Sequence, residues 1–141
     1  MAVRVKVRLK ALKGKKETIE EIALLNTGYE SKEPEIVIPK ETAEKLGLWP
    51  HLPDGTEVGD YEVGGGGKVR VYYIENCLEI QVLTEDTVSN PILVSAVIME
   101  GEKEVLLSDK SISALQIVLE DAGKGIWRFK KEEKLRKSYS L

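Results

Sequence analysis

The chain has 141 residues, of which 42% are hydrophobic and 32% charged, and its net charge is −3. This length is typical of one domain, and the apolar content suffices for a core without disulfides or a metal. The 21 basic and 24 acidic residues are interspersed without an acidic block, and this distribution argues against a nucleic-acid partner. The single cysteine, Cys77, excludes an internal disulfide.

Location and cofactors are constrained by what the sequence lacks. No apolar run approaches the roughly 20 residues of a membrane-spanning helix, and no signal peptide precedes the first predicted strand. We therefore expect a cytoplasmic protein without a membrane partner. The lone histidine, His51, has no cysteine cluster beside it, so we expect no metal and no cofactor. The abundance of Lys and Glu is typical of proteins from thermophiles.

Two strands are predicted at the start of the chain. Residues 3–10 alternate between aliphatic and basic side chains, and this period of two is typical of a half-buried strand. A loop over 13–17 leads to a second strand, 19–25, which ends in an apolar run. Asn26-Thr27-Gly28 follows at once, which places a turn signal at the buried end of that strand.

The rest of the chain continues the pattern of short strands. A helix is predicted over 39–47, with Pro39 near its start and Gly47 at its end. Further predicted elements are strands at 35–39, 61–63, 68–73, 77–83, 92–99, 105–107 and 126–129, a loop at 49–60 and a second helix at 111–119. Such a pattern predicts an all-β barrel or sandwich with one or two short helices over residues 1–129. A charged C-terminal tail, 130–141, follows.

Several motifs, in order, resemble those of retropepsins, the single-domain aspartic proteases. In that family a strand of the form Ala-Leu-Val precedes Asp-Thr-Gly, and Val-Ile-Pro and a helix ending Leu-Gly-Leu follow. Here residues 23–28 read Ala-Leu-Leu-Asn-Thr-Gly, 36–39 read Ile-Val-Ile-Pro, and 43–48 end in Leu-Gly-Leu. A glycine-rich hairpin like the family's flap runs into Lys-Val-Arg over 64–70, and the closing Leu-Leu-Gly appears as Leu-Leu-Ser over 106–108.

The resemblance implies a retropepsin-like acid-protease fold and a homodimer with a flap-covered cleft for an extended peptide or an unfolded protein segment. In the family each chain supplies one aspartate at a two-fold axis. On this chain that aspartate position is Asn26. Thr27 would hold the two active-site loops together, and Gly28 would allow close backbone approach. The flap would be formed by four glycines, Gly64, Gly65, Gly66 and Gly67.

Three departures from the family pattern bear on activity: Asn26 replaces aspartate, Tyr29 replaces alanine and Ser108 replaces glycine. The paired family carboxylates share a proton, and one acts as base while the other acts as acid. A carboxamide has no proton that titrates near neutral pH, so an Asn26 pair lacks both roles. We therefore expect an inactive homologue that still binds extended peptide by strand addition beneath the flaps.

Other interpretations remain open from the sequence. The chain could be an active aspartic endopeptidase captured as an engineered Asp→Asn form, or a non-enzymatic dimeric scaffold module. Asn26-Thr27-Gly28 could also be an ordinary turn, and the four glycines a flexible linker. Tyr29 and Ser108 favour a natural departure from the family, since disabling catalysis needs only one substitution.

Overall fold

The computed structural model describes residues 2–62 and 65–140. The described part is built mainly of short strands, with two brief helices. The strands are β1 (Arg4–Ala11), β2 (Thr18–Leu25), β3 (Glu35–Ile38), β4 (Glu57–Glu62), β5 (Lys68–Leu83), β6 (Ile92–Met99), β7 (Val105–Leu107), β8 (Ile117–Asp121), β9 (Ile126–Phe129) and β10 (Arg136–Lys137). The helices are α1 (Lys40–Leu46) and α2 (Asp109–Ala114). No helix among the described residues is long and apolar enough to cross a membrane.

Six of the strands close into a barrel. Their order is β1-β2-β7-β3-β6-β5, and β5 pairs back with β1 to complete the ring, while β4 extends the sheet beyond β5. Most pairings are antiparallel, but β2 runs parallel to β7 and β3 runs parallel to β6. The predicted all-β fold of barrel or sandwich type, with one or two short helices, is confirmed, and it is a barrel with two helices. β8, β9 and β10 form a separate three-stranded sheet.

The barrel interior is filled by aliphatic side chains that alternate along each strand. On β1 the side chains of Val5, Val7 and Leu9 are buried, while the basic residues between them point outward, as a period of two requires. Leu46 of α1 is also fully buried and belongs to the same core. Burial of these apolar side chains is the main term that stabilises the barrel.

Glycine is required where α1 ends. Gly47 caps the helix in the left-handed conformation, with φ of 79°, as the sequence predicted. The loop between β1 and β2 lies directly against it: a Cβ added to Gly47 would stand 2.6 Å from Cβ of Lys15. The first hairpin and α1 therefore meet at a point that has no room for a side chain.

The second helix is shorter than predicted. The helix predicted over 111–119 is wrong at both ends, because α2 spans Asp109–Ala114 and Ile117–Asp121 forms strand β8. Between them Gln116 has a φ of 58°, which no helix residue adopts. The β-branched residues Ile117 and Val118 then favour the extended chain that pairs with β9.

The strands around the glycine-rich hairpin are longer than predicted. The segments predicted as separate strands at 68–73 and 77–83 form one strand, β5, with an irregular register between Ile74 and Leu78. Asn76 lies in that irregularity with a φ of 46°, and its N–H donates to Ser95 Oγ at 2.9 Å. Residues 57–60, at the end of the predicted loop 49–60, are instead the first four residues of β4.

The C-terminal segment packs back against the barrel. Asp86 accepts hydrogen bonds from Lys134 Nζ at 2.7 Å and from Arg136 at 2.8 Å. These interactions hold the pKa of the Asp86 carboxyl well below its usual range. Farther along, Tyr139 N–H donates to the carbonyl oxygen of Arg4 at 2.8 Å. The charged segment is thereby joined to the start of β1 and to the turn before β6.

Candidate functional site

The Asn26 loop directly follows β2 and is anchored where β2 pairs in parallel with β7. Leu24 and Leu25 of β2 pair with Leu106 and Leu107 of β7. Just beyond β2, Asn26 N–H donates to the carbonyl oxygen of Leu107 at 3.1 Å, and Tyr29 N–H donates to the carbonyl oxygen of Asn26 at 3.0 Å. The core strands therefore fix the loop at its base, and a tight turn brings Asn26 and Tyr29 together.

The Asn26 side chain is half-buried and stabilises its own turn. Its Oδ1 accepts a hydrogen bond from Gly28 N–H at 3.1 Å, the local bonding that Asn and Asp make in turns. An aspartate carboxylate can accept the same bond, so this backbone suits either side chain. Thr27 and Gly28 are exposed, and the Thr27 hydroxyl makes no hydrogen bond to other described residues. The predicted trio thus forms a single loop with two of its members at the surface.

A pair of buried serines supports this loop from beneath. Ser108 Oγ caps α2 by accepting Ser111 N–H at 3.2 Å, and Ser108 is fully buried. Ser111 Oγ accepts Glu35 N–H at 2.9 Å and donates to the carbonyl oxygen of Glu35 at 2.7 Å. The Ser108 backbone N–H also donates to that carbonyl, at 3.1 Å. The start of β3 is thereby joined to the start of α2.

Tyr29 connects the loop to these serines. Its hydroxyl hydrogen-bonds to the Glu35 carboxylate, and its backbone carbonyl accepts Asp109 N–H at 2.8 Å. Asp109 in turn accepts Ser31 N–H at 3.1 Å, and this hydrogen bond lowers the pKa of the Asp109 carboxyl. All three departures from the family pattern, at positions 26, 29 and 108, therefore lie in one network that passes through Glu35.

A second, smaller apolar cluster lies outside the barrel core. Its buried members are Val37 of β3, Val71 of β5 and Val97 of β6. Val37 lies between Ile36 and Ile38, which belong to the main core, so it projects from the opposite face of the strand. The partly buried residues packed against it are Tyr29, Val69, Tyr73, Met99 and Leu106. We call these eight residues the outer apolar patch.

The glycine-rich segment joins two antiparallel strands, as a hairpin does. β4 pairs with the first part of β5 from Glu57↔Tyr73 to Glu62↔Lys68. Gly65 and Gly66 have φ of 88° and 82°, with nothing within 4 Å of an added Cβ. Gly67 is exposed, and Gly64 lies outside the described residues. The tip needs glycine for its backbone conformation rather than for space.

The hairpin and the Asn26 loop border the same surface. Val69 and Val71, on the β5 arm of the hairpin, belong to the outer apolar patch, and so does Tyr29 beside Asn26. The patch therefore extends from one predicted feature to the other. It combines three buried valines with five partly buried apolar side chains. It is flanked by a polar turn and a glycine-rich hairpin, and this is the candidate functional site.

A concavity of about 770 Å³ lies away from the outer apolar patch, between β1, the turn after β5 and the C-terminal segment. None of its lining residues belongs to the Asn26 loop or to the outer apolar patch. Several of its basic side chains are held in ion pairs, as in Arg4–Glu104 and Lys6–Glu20. Among residues 2–62 and 65–140, no group of three or more potential ligands is arranged to hold a metal.

Sequence analysis identified the loop and the hairpin but not the surface between them. It also missed Glu35 and Ser111, which join the loop to α2. One signal was present: Ile36-Val37-Ile38 is a continuous apolar run rather than an alternating one, which is typical of a strand covered on both faces. Strand register decides which other side chains join the outer apolar patch, and the pattern of a single sequence does not define register. This holds for Tyr73, Val97 and Leu106.

Comparisons with known proteins bear on the fold. No protein-family model matches the chain, and no curated protein matches it in sequence. Among solved structures, it is similar to the crystal structure of the retroviral protease-like domain of Ddi1 from Leishmania major, with a TM-score of 0.55 and 13% sequence identity. The match covers 94% of this chain and 92% of that domain. Together with the closed barrel and its two helices, this similarity shows that the chain has a retropepsin-like fold.

Proposed function

We propose that this protein is a retropepsin-like aspartic protease homologue that binds an extended peptide in a cleft between two copies of the chain and does not cleave it. The observation that carries the proposal is the outer apolar patch, which lies between the Asn26 loop and the glycine-rich hairpin. A peptide laid across this surface would have the hairpin on one side and Asn26 on the other.

The chemistry of the surface suits an extended peptide. Tyr73, Met99 and Leu106 are only partly buried, so they offer apolar contacts for alternate side chains of a bound strand. β4 ends the order of the described sheet, which leaves one edge of the hairpin available for main-chain hydrogen bonds. Strand addition of this kind takes affinity from the main chain and selectivity from side-chain pockets.

A second copy of the chain would complete the cleft and cover the exposed tip of the Asn26 loop. Thr27 and Gly28 are exposed at the tip of an otherwise well-anchored turn. Two such tips meeting at a two-fold axis would cover each other in a self-complementary interface. Asn26 has both donors and an acceptor on its amide, so two copies could hydrogen-bond across the axis without a shared proton.

The loss of catalysis follows from the same amide. Peptide hydrolysis by this type of site needs one group to take a proton from water and another to give one to the substrate. Each role is typically worth about 10²–10⁴-fold in rate, and an Asn26 pair supplies neither. The Asn26 turn would accept aspartate unchanged, because the side chain accepts the Gly28 N–H through Oδ1.

The test compares the native chain with Asn26→Asp in cleavage of an unfolded protein, casein, at acidic and neutral pH. We expect cleavage by Asn26→Asp alone, with an acidic optimum. The matched control is Asn90→Asp, which makes the same chemical change at an exposed position away from the site. Cleavage by the native chain, with mass spectrometry showing Asn26 still an amide, would refute the assignment of inactivity.

Sedimentation and peptide binding test the cleft itself. We expect a dimer and saturable binding of unstructured peptides by the native chain. A monomer at all concentrations would contradict the shared cleft. A dimer that binds no peptide, and whose Asn26→Asp form cleaves nothing, would instead favour a scaffold module.

A further inference from the structure

We propose that Tyr29 is a specificity-determining residue: its ring fills the part of the outer apolar patch next to Asn26, so the cleft accepts only a small side chain without negative charge there. This inference rests on the proposed function and adds the class of peptide that the site would select. It starts from the observation that the ring packs against the buried core of the patch formed by Val37, Val71 and Val97.

The ring is held in place from both ends of the residue. The Tyr29 backbone is fixed by its N–H to the Asn26 carbonyl at 3.0 Å and by its carbonyl to Asp109 N–H at 2.8 Å. The phenol hydroxyl is fixed by the Glu35 carboxylate. A side chain fixed at its base and its tip does not swing aside without losing a charge-assisted hydrogen bond, which is among the stronger kinds in proteins.

The anchor for the phenol is itself rigid. Glu35 is fixed by its backbone, because its N–H and carbonyl both bond to Ser111 Oγ, at 2.9 and 2.7 Å. Ser111 and Ser108 are fully buried at the start of α2. The position of the ring is therefore supported through Glu35 by the framework of the domain, rather than by surface contacts alone.

The size of the Tyr29 ring and the charge of Glu35 define which peptide side chains fit beside them. An aromatic side chain covers on the order of 150–250 Å² when fully buried. Tyr29 is partly buried, and a part of that area lies over valines that a ligand would otherwise contact. The carboxylate of Glu35 at the tip of the ring disfavours an acidic side chain nearby, since like charges repel. A glycine, alanine or serine in the peptide meets both limits.

The inference is tested with fluorescein-labelled decapeptide mixtures of uncharged residues in which one central position is fixed as Ala, Leu or Phe. Binding is measured by fluorescence polarisation to the native chain, Tyr29→Ala and Tyr29→Phe. The control is Tyr139→Ala, which removes an exposed ring of the C-terminal segment. Thermal unfolding by circular dichroism verifies that each variant is folded under the binding conditions.

At one central position we expect the native chain to bind the Ala mixture at least tenfold more tightly than the Phe mixture. Tyr29→Ala should reverse this order, because the exposed valines then contact the larger side chain. Tyr139→Ala should retain the native order and ratio. Tyr29→Phe should retain the order with a smaller ratio, because the ring remains but loses its hydrogen bond to Glu35. Should Tyr29→Ala bind peptides with the native order unchanged, this inference is overturned and the peptide-binding function stands. Binding of no mixture by any folded form overturns both.

Discussion

The Ser108→Ala substitution tests whether the serine network supports the site. Ser108 Oγ accepts Ser111 N–H at 3.2 Å as the N-cap of α2, and it also accepts the Ser31 hydroxyl at 2.9 Å. The alanine variant keeps the backbone but removes this oxygen. Glu35 N–H keeps its better partner, Ser111 Oγ at 2.9 Å, and the Ser31 hydroxyl keeps the carbonyl oxygen of Glu33 at 2.7 Å.

The expected loss of stability follows from the hydrogen-bonding groups that lose a partner in Ser108→Ala. Because Glu35 and Ser31 retain other bonds, the main loss is the cap on Ser111 N–H, in a residue that is fully buried. An N-cap is worth about 0.5–2 kcal/mol, and a buried donor left unpaired costs about 1–3 kcal/mol. These describe the same lost bond, so we expect about 1–3 kcal/mol of destabilisation. For a domain of this size that corresponds to a fall in Tm of about 3–9 °C.

Urea unfolding followed by circular dichroism measures this difference. The control is Ser113→Ala on the same helix, where the serine is exposed and alanine should gain a few tenths of a kcal/mol through helix propensity. Equal stability of the Ser108→Ala and Ser113→Ala variants would show that the cap contributes nothing and would refute the reasoning. A loss above about 5 kcal/mol would show that the whole network depends on this one oxygen.

Gly47→Ala should destabilise the domain by about 1–3 kcal/mol in urea unfolding, because its φ is 79° and the new Cβ would meet Lys15; an unchanged midpoint would contradict this. Burial raises the pKa of the Cys77 thiol to about 11, above its unfolded value, so stability should fall as pH rises from about 9 to 11. That fall, up to about 2–3 kcal/mol, should be missing in Cys77→Val. The lowered pKa of Asp86 means that its ion pairs stabilise the C-terminal segment above about pH 4. Asp86→Asn should therefore speed trypsin cleavage within that segment at neutral pH, whereas unaltered cleavage would show that those pairs are dispensable.

The sequence predicted the all-β class and the Asn26 loop because both depend on local patterns. The alternation over 3–10 defined β1, and the apolar run before Asn26 defined the end of β2. The same reasoning failed at α2, where helical spacing of Ile112, Leu115 and Leu119 continued past the true end of the helix. Gln116 takes a positive φ there, and the pairing of β8 with β9 decides the conformation that follows.

The candidate site was predicted only in part, because its surface is made by pairing rather than by a motif. Val37 and Leu106 are brought together by the antiparallel pairing of β3 with β7, and Val97 joins Tyr73 through the pairing of β5 with β6. In the sequence Glu35 has the pattern of an ordinary strand residue, and only the structure shows the Tyr29 hydroxyl bonded to its carboxylate. Three isolated departures from a family pattern thus prove to be parts of one contiguous arrangement.

The parallel pairing of β2 with β7 also governs when the site can form. Asn26 emerges early in synthesis, yet its N–H bonds to Leu107, a residue made long afterwards. Contacts so distant along the chain form slowly, since the intervening segment must first be ordered. While the chain is growing, the Asn26 loop lacks its anchor, and no nascent chain that ends before β7 holds a finished site. On the proposed function, a capacity to bind extended polypeptide would therefore arise only as the domain nears completion, and the growing chain would not bind its own unfolded segments.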